Sequence, residues 1–283
     1  MSLTFYKYSA TGNDFILFDQ RDWRFTGEET EFFRQVSQRR TAVGADGVLV
    51  VGPDEAVDFR LRYFNADGTE AACGNGARTA AYFFVQTREV RGPVRFRFDG
   101  ELYEAEVAGK RVKLLLPAAH DWRERLGVVQ EPELREGGFV NTGVPHLVLF
   151  CENVAGVDVT TVGRKYRFHR ALAPEGVNVD FVEVRGPQHL VLRTYERGVE
   201  AETLSCGTGC VAAALVAHRQ AGARFPVTVE TTGGLLRVHL DETTGRPALE
   251  GEVQFVFEGR LSPEAAAALS HEPRQAAVTS GTG

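Results

Sequence analysis

Short runs in which apolar and polar residues alternate recur along most of the chain. They predict many β-strands, because alternation with a period of two suits a half-buried strand. Before residue 118 such runs cover 3–8, 15–18, 48–51, 59–64, 94–98, 102–107 and 112–116. After residue 138 they cover 139–141, 147–150, 179–185, 190–195, 227–231, 235–240 and 254–258. Both halves of the chain are therefore predicted to be rich in strands.

Helical patterns are fewer. Residues 27–40 mix charged and apolar positions as an amphipathic helix does. Two helices of small residues are predicted directly after Cys73 and Cys206, the second over residues 207–220. The segment 117–136 is rich in charge and proline, and we predict that it is a crossover between the two halves.

The two helices that follow cysteines open with the same sequence. A C-G-x-G segment begins at Cys73 and again at Cys206, and each follows an acidic residue and a short polar stretch. We interpret this repeat as an internal duplication. It predicts an α+β fold of two pseudo-symmetric lobes, each with strands wrapped around a central helix. An active-site cleft is expected between the lobes, because interfaces between domains are favoured binding sites.

The boundary between the lobes is predicted near residue 117. Residues 1–117 form the N-terminal lobe, which the strand and tail after about residue 255 join, and residues 118–255 form the C-terminal lobe. The alanine-rich stretch at the end of the chain leads into residues 270–283, which we predict to be a flexible tail.

Composition and charge narrow the class of protein. The 283 residues are 43% apolar and 25% charged, which is typical of a globular protein. The net charge of −6 argues against a general nucleic-acid-binding surface, which needs a basic footprint. No apolar run approaches the roughly 18 residues that span a bilayer, and the first residues lack the layout of a signal peptide. We therefore expect a soluble, cytoplasmic protein with no nucleic acid and no membrane as partner.

The four cysteines are predicted to fall into two classes. Cys151 ends an apolar run and Cys210 lies in a small-residue helix, so both are interpreted as packing residues. The chain has no C-x-x-C pair, which disfavours a zinc site and a disulfide oxidoreductase. A reducing compartment disfavours a structural disulfide between Cys73 and Cys206. We predict no metal site.

Cys73 and Cys206 are positioned for acid–base chemistry. Each precedes glycines that permit a tight turn and a helix N-terminus whose free N–H groups stabilise an anion. This position is expected to lower the pKa of each thiol and to hold a substrate carboxylate beside it. Across a cleft, one thiolate would remove an α-proton while the opposite thiol delivers a proton to the other face, which inverts the carbon. The alternative is two glycine-rich turns with buried cysteines.

No cofactor is predicted. A pyridoxal-phosphate enzyme needs a lysine for its Schiff base. The chain has four lysines, and none lies in a glycine-rich turn or another recognisable site; they are Lys7, Lys110, Lys113 and Lys165.

Seven motifs together resemble the diaminopimelate epimerase family, which are cofactor-independent amino-acid isomerases. In family order they are Ala10-Thr11-Gly12-Asn13-Asp14-Phe15, Asn65-Ala66-Asp67-Gly68, Cys73-Gly74-Asn75-Gly76-Ala77-Arg78, Gly143-x-Pro145-His146, Val177-Asn178-Val179, Tyr195-Glu196-Arg197-Gly198 and Glu202-Thr203-x-x-Cys206-Gly207-Thr208-Gly209. The resemblance covers residues 3 to about 260. It implies an amino-acid substrate, conversion of LL- to meso-2,6-diaminopimelate for lysine and cell-wall precursors, and a homodimer.

The resemblance also implies a role for each matching residue. Cys73 and Cys206 exchange the roles of proton acceptor and proton donor. The backbone N–H groups implied to hold the reacting carboxylate belong to the segments Gly74-Asn75 and Gly207-Thr208. The side chains implied to hold the amino groups and the distal carboxylate are those of Asn13, Asn65, Asn178, Glu196 and Arg197. His146 and Glu196 are implied to tune the pKa values of the cysteines.

Two positions depart from the family pattern. Gly47 stands where the family often has an amide side chain, and Val144 where it often has an asparagine. Their absence predicts a less polar distal pocket. A racemase for lysine, ornithine or histidine on the same scaffold therefore stays open, although Arg197 and Asn178 favour a second carboxylate. A non-catalytic amino-acid-binding protein is the third alternative, and it would need neither thiol.

Overall fold

Strands account for most of the regular secondary structure of the described residues. The computed structural model describes residues 3–22, 25 and 29–269. The strands are β1 (Leu3–Ala10), β2 (Asn13–Asp19), β3 (Gly47–Gly52), β4 (Phe59–Asn65), β5 (Val94–Phe98), β6 (Glu101–Ala108), β7 (Arg111–Leu115), β8 (His120–Arg123), β9 (Leu134–Asn141), β10 (Pro145–Cys151), β11 (Asn178–Gly186), β12 (His189–Glu196), β13 (Ala201–Thr203), β14 (Val227–Thr231), β15 (Gly234–Leu240), β16 (Pro247–Glu252) and β17 (Gln254–Leu261). The α-helices are α1 (Thr30–Val36), α2 (Gly74–Arg88), α3 (Val159–Arg167), α4 (Gly207–Gln220) and α5 (Pro263–Leu269).

The strands pair in two sets that share one connectivity. The first strand set runs β17-β1-β2-β3-β4-β5-β6-β7. The second runs β8-β9-β10-β11-β12-β14-β15-β16, with β13 also beside β12. Parallel pairs fall at the same places in both sets, namely β2–β3 and β4–β5 against β10–β11 and β12–β14. The predicted α+β fold with two similar halves is confirmed.

The two sets are joined by the antiparallel pair β7–β16. The chain passes between the sets twice, from β7 to β8 and from β16 to β17, because β8 pairs within the second set and β17 within the first. The lobe boundaries at residue 117 and near residue 255 stay predictions. The predicted tail, residues 270–283, lies outside the described residues.

One helix lies at the centre of each strand set. Helix α2 packs among strands of the first set and α4 among strands of the second, and both contribute to one shared apolar core. A helix surrounded by strands is buried on nearly all sides, so large side chains would hold the strands away. This explains the alanines at positions 77, 80 and 81 of α2 and at positions 212–214 of α4, which are all fully buried.

Each set has a second apolar layer on its outer face. Helix α1 covers the first set through Phe32 and Phe33, and α3 covers the second through Val159 and Tyr166. Of the predicted helix 27–40, the structure shows α1 over Thr30–Val36, so the helix ends earlier than predicted, and residues 27–28 lie outside the described residues. Helix α3 was not predicted, although Val159, Val162 and Tyr166 have the i, i+3, i+7 spacing of an amphipathic helix.

Strands β8, β13 and β16 were also not predicted. Strand β8 lies within the segment that was predicted to be a crossover, and its four residues have no apolar alternation to reveal it. Strand β16 begins at a proline and contains a glycine, both of which disfavour a strand by propensity. Its position is determined by pairing with β15 and β7 on either side.

Within the described residues, no helix combines the length and the apolar character needed to cross a bilayer.

Candidate active site

Cys73 lies at the N-cap of α2, where extended backbone turns into helix. Its Sγ accepts a hydrogen bond from the Gly76 N–H at 3.4 Å. A methyl group on Gly76 would lie 2.9 Å from Cδ2 of Leu49, so glycine lets the helix begin this close to β3. A methyl group on Gly74 would have no described atom within 4 Å. The backbone beside the thiol is therefore open to a ligand.

Cys206 occupies the equivalent position at the N-cap of α4. Its backbone is extended, with φ −114° and ψ 108°, as is that of Cys73 with φ −146° and ψ 114°. The Cys206 residue is 6% exposed, and its Sγ lies 3.5 Å from Oγ1 of Thr208. Cys73 is more exposed than Cys206. The two cysteines thus occupy the N-cap positions of corresponding helices, although only the Cys73 thiol makes a capping hydrogen bond.

The N-termini of α2 and α4 lie against each other. A methyl group on Gly207 would stand 3.8 Å from Oδ1 of Asn75 and 2.9 Å from Cδ2 of Leu249. Gly207 and Asn75 both belong to the first turn of their helices. The free N–H groups and the positive dipole ends of both helices therefore converge on one place. A single carboxylate can be bound there by both helices.

Glu196, the last residue of β12, acts on both thiols. Its negative charge raises the pKa of Cys73 and the pKa of Cys206. Burial raises the pKa of Glu196 itself, although the Thr203 hydroxyl donates to Oε2 at 2.8 Å and the nearby His146 lowers that pKa. Because one carboxyl group influences both thiols, the two cysteines belong to one buried site.

Burial dominates the ionisation of the two thiols. It raises the pKa of Cys73 from 9.0 to about 11, although the N–H groups of Gly76 and Asn75 and the charge of Arg78 lower it. Burial likewise raises the pKa of Cys206 well above its ordinary value. The expectation that the helix N-termini lower these pKa values is therefore wrong for this structure. The stabilising dipoles are present, but taking a thiolate out of water costs more than they contribute.

A chain of buried polar side chains leads away from Cys206. His146 is fully buried, with Nδ1 2.7 Å from Oδ2 of Asp180 and Nε2 3.0 Å from Oγ1 of Thr208. The Thr194 hydroxyl donates to Oδ1 of Asp180 at 2.7 Å. The same Thr208 oxygen lies beside Cys206. His146, one of the residues implied to tune the thiols, thus connects to Cys206 through Thr208.

Asn13 and Asn75 contact each other directly. Asn75 Nδ2 donates to Oδ1 of Asn13 at 2.7 Å, and Asn13 Nδ2 donates to Asp46 at 3.2 Å. Oδ1 of Asn75 accepts a hydrogen bond of 2.6 Å from the fully buried Arg78. These bonds fix the first turn of α2 against the start of β2. The Asn75 side chain is engaged in this network, so its backbone N–H is the group available to a carboxylate.

Asn178, the first residue of β11, contacts Arg197, which directly follows the last residue of β12. Oδ1 of Asn178 accepts the backbone N–H of Arg197 at 2.8 Å, and Nδ2 donates to the Pro145 carbonyl at 3.2 Å. The Arg197 guanidinium lies 3.9 Å from the carboxylate of Glu175, whose side chain is 78% exposed. The buried asparagine therefore holds the backbone that carries Arg197, while the guanidinium stays within reach of a ligand.

Asn65, at the end of β4, is engaged in a local turn. Its Nδ2 donates to Oγ1 of Thr69 at 3.1 Å, and its backbone N–H donates to the Thr69 carbonyl at 2.8 Å. In register, Asn65 pairs with Gly47 of β3. A side chain on Gly47 would collide with the ring of Tyr63, whose hydroxyl would be 2.7 Å away. The space that an amide would occupy at residue 47 is thus filled by a phenol.

Asp180, Thr194, Arg78 and Tyr63 were not identified from the sequence. A usable signal existed for Asp180, because this single acidic residue lies directly between the apolar residues Val179 and Phe181. An isolated charge in a buried strand is costly unless it is paired. Arg78 gave a similar signal, as a large cation in a helix of small residues.

Comparisons with known proteins find relatives over most of the chain. A family model described as diaminopimelate epimerase matches residues 5–115 and 138–256. A diaminopimelate epimerase from Aquifex aeolicus is 40% identical over 276 residues, which covers 93% of this chain and 99% of the relative. One from Chlorobaculum tepidum is 38% identical over 260 residues and covers 90% and 99%.

Solved structures share the fold at low sequence identity. A phenazine biosynthesis protein of the PhzF family from Bacillus anthracis superposes with a TM-score of 0.71 at 15% identity, over 93% of this chain and 99% of that one. A probable proline racemase from Agrobacterium radiobacter gives a TM-score of 0.65 at 15% identity, over 93% and 95%. At this identity the likeness shows the fold alone.

Proposed function

Because the chain belongs to the diaminopimelate epimerase family, and is thus an isomerase, we propose that it interconverts LL- and meso-2,6-diaminopimelate without a cofactor. We place this reaction in the supply of lysine and of cell-wall precursors, as the family name suggests. The observation that carries the proposal is the meeting of two cysteine-capped helix N-termini, with Glu196 acting on both thiols.

The proposed reaction is a proton exchange at one carbon. The α-carboxylate of the substrate binds the free N–H groups beside Gly74 and Gly207, which places Cα between the thiols. One cysteine, as thiolate, takes the α-proton, so its S–H bond forms as the C–H bond breaks. The opposite thiol gives its proton to the other face of the carbanion and becomes the thiolate. The charge that builds on the carboxylate is stabilised by both helix dipoles.

The far end of the substrate is proposed to bind the second group of residues. Arg197 offers a planar fork that suits a carboxylate. Asn13, Asn65, Asn178 and Glu196 supply amide and carboxylate oxygens for ammonium groups. Because Asn178 holds the Arg197 backbone, we expect changes at either residue to weaken binding of the distal carboxylate more than they slow the proton transfer.

We also propose that the protein forms a homodimer through β17. This strand pairs with β1 along one edge, and no strand of the described residues pairs with its other edge. Phe255, Val256 and Phe257 on it are 45–48% exposed. An apolar edge strand on a stable monomer is a hazard for aggregation, and a second copy of the strand would cover it.

The test of the proposed reaction uses the reduced protein in heavy water. We expect LL-diaminopimelate to gain deuterium at Cα, followed by NMR, as the meso isomer forms. Cys73→Ala and Cys206→Ala should each lose about 10³-fold or more of turnover, while substrate still binds by calorimetry. Full activity in Cys73→Ala would exclude the two-base mechanism.

The same assay separates the alternatives. Exchange with lysine, ornithine or histidine, and none with diaminopimelate, would assign a racemase of the same mechanism. One observation favours that result. The phenol of Tyr63 fills the space where an amide side chain at residue 47 would lie, so the pocket lacks an amide that the family often has. Binding without exchange of any substrate, in protein whose thiols are reduced, would indicate a binding protein.

A further inference from the structure

The two cysteines have equivalent backbones but different surroundings. In the second strand set, Asp180 lies against Gly209, the third residue after Cys206. In the first set, Leu49 lies against Gly76, the third residue after Cys73. Asp180 and Leu49 therefore occupy the same place in the duplicated fold.

The neighbours of these two residues differ in the same way. Asp180 pairs in register with Thr194, and Leu49 pairs with Tyr63. The residue that corresponds to His146 in the first set is Phe15, whose ring packs edge-to-face on Tyr63 at 6.0 Å. A buried polar chain in one half is thus replaced by an apolar, aromatic cluster in the other.

We propose that Asp180 is a positioning residue that makes His146 the proton acceptor for Cys206, through the hydroxyl of Thr208, and that Cys73 has no such relay. The inference rests on the proposed two-base function and extends it, because it makes the two thiols unequal. Asp180 and Thr194, which the sequence did not identify, thereby gain a role in the site, because they position His146.

The geometry supports this direction of transfer. The carboxylate of Asp180 accepts from Nδ1 of His146, which leaves Nε2 facing Thr208. A carboxylate in this position fixes the ring tautomer and stabilises the imidazolium. The Cys206 S–H bond then breaks as the Thr208 O–H forms, while the original Thr208 proton moves to Nε2. The result is a thiolate and an imidazolium, with no net change in the buried charge.

Such a relay would allow the Cys206 thiol to ionise although it is buried. A buried thiol ionises poorly when its proton must leave for water. Transfer to His146 keeps the proton inside the protein and pairs it with Asp180. The charged or titratable groups that face Cys206 are Glu196 from β12, Asp180 from β11 and, through Thr208, His146 from β10. Only His146 among them can accept a proton and become a cation.

The test is the rate at which each cysteine reacts with the uncharged reagent iodoacetamide at neutral pH, resolved by peptide mass spectrometry. Wild-type Cys206, although buried, should react faster than the half-buried Cys151, which has no relay. In Asp180→Asn the Cys206 rate should fall by about tenfold or more, since one pKa unit is a tenfold change in thiolate. The Cys73 rate should stay within about twofold.

The sign of the effect is decisive. If Asp180 acted only as a negative charge near Cys206, its removal would raise the Cys206 rate, and that result would overturn the relay. Equal changes at Cys73 and Cys206 would also overturn it, as would a wild-type Cys206 no faster than Cys151. The matched control is Asp19→Asn, another buried carboxylate, which pairs with Arg21 and Arg88 and should leave both rates unchanged.

A second pair of variants covers the case in which Asp180→Asn does not fold. Thr208→Val removes the hydroxyl between the thiol and His146, and Thr208→Ser restores it. The relay requires a slow Cys206 in the valine variant and recovery in the serine variant, whereas slow Cys206 in both would contradict it. No substrate enters these measurements, so their failure is distinct from a failure to turn over diaminopimelate.

Discussion

The carboxylate of Asp180 fits against the backbone of Gly209, so closely that a methyl group on Gly209 would lie 2.6 Å from Oδ1. The second glycine of the C-G-x-G segment therefore has a specific partner in this half of the molecule. Its absence of a side chain allows an acidic residue to approach the first turn of α4, beside the helix N-terminus, where negative charge is favoured.

Gly209→Ala tests that fit. The added methyl group must displace Asp180 from His146, so we expect kcat to fall by about tenfold to 100-fold and the free energy of unfolding by about 1–3 kcal/mol. Steady-state kinetics and urea unfolding measure the two effects. The control is Gly222→Ala, at the end of α4, which has open space but a positive φ of 70° and should lose stability without a specific loss of kcat. Unchanged kinetics in Gly209→Ala would argue against the contact.

Arg78→Met separates charge from packing beside Cys73. The guanidinium is fully buried, and among the described residues its Nε and Nη1 have no hydrogen-bond partner. Its charge lowers the pKa of Cys73, so its loss should reduce kcat/KM by about tenfold or more. Stability should change by less than about 2 kcal/mol, because the cost of burying an incompletely paired cation disappears too. Arg95→Met, an exposed surface pair with Glu104, should affect neither quantity.

The raised pKa of Cys73 predicts a pH dependence of stability. The folded thiol has a pKa of about 11 against an ordinary value of 9.0. Between these values the unfolded chain loses its proton while the folded chain keeps it, so the free energy of unfolding falls as pH rises. Below this window the contribution is constant. Wild type should therefore lose stability relative to Cys73→Ala between these two pKa values, measured by urea unfolding at successive pH values. Parallel curves would indicate an unperturbed thiol.

Phe257→Glu tests the proposed dimer. A charge on the exposed edge strand β17 should convert a dimer to a monomer in sedimentation velocity, because a buried unpaired carboxylate is costly in an interface. Leu102→Glu places the same change on β6, at a residue that is 51% exposed, and should leave the assembly intact. If wild type sediments as a monomer, or if Phe257→Glu stays dimeric, the contact surface is elsewhere.

Much of the fold followed from local pattern. The repeated C-G-x-G segments predicted the duplication, and α4 begins and ends where the small-residue run predicted. The elements that the sequence did not predict are those stabilised mainly by pairing with neighbouring strands. Strand β16 has little strand character of its own but is held between β15 and β7. Pairing between strands that are far apart in the sequence cannot be predicted from the residues of one segment alone.

The residues of the candidate site show the same difference between local and long-range features. The cysteines, glycines and asparagines that lie in motifs were predicted, because the spacing of a motif can be recognised in the sequence. The pKa of Cys73 was mispredicted because the helix N-terminus is a local feature, whereas the burial that opposes it is supplied by residues far along the chain. Asp180 was missed for a related reason, because its partners His146 and Thr194 come together only when β10, β11 and β12 pair.

The return of β17 to the first set has a consequence for the order in which the protein is made. The first set is completed by β17, which is synthesised only after every strand of the second set, whereas β1 is synthesised before all of them. The edge of β1 that β17 covers therefore stays unpaired until the second set has been made. The first set is thus not one continuous stretch of chain, although the two sets share one connectivity.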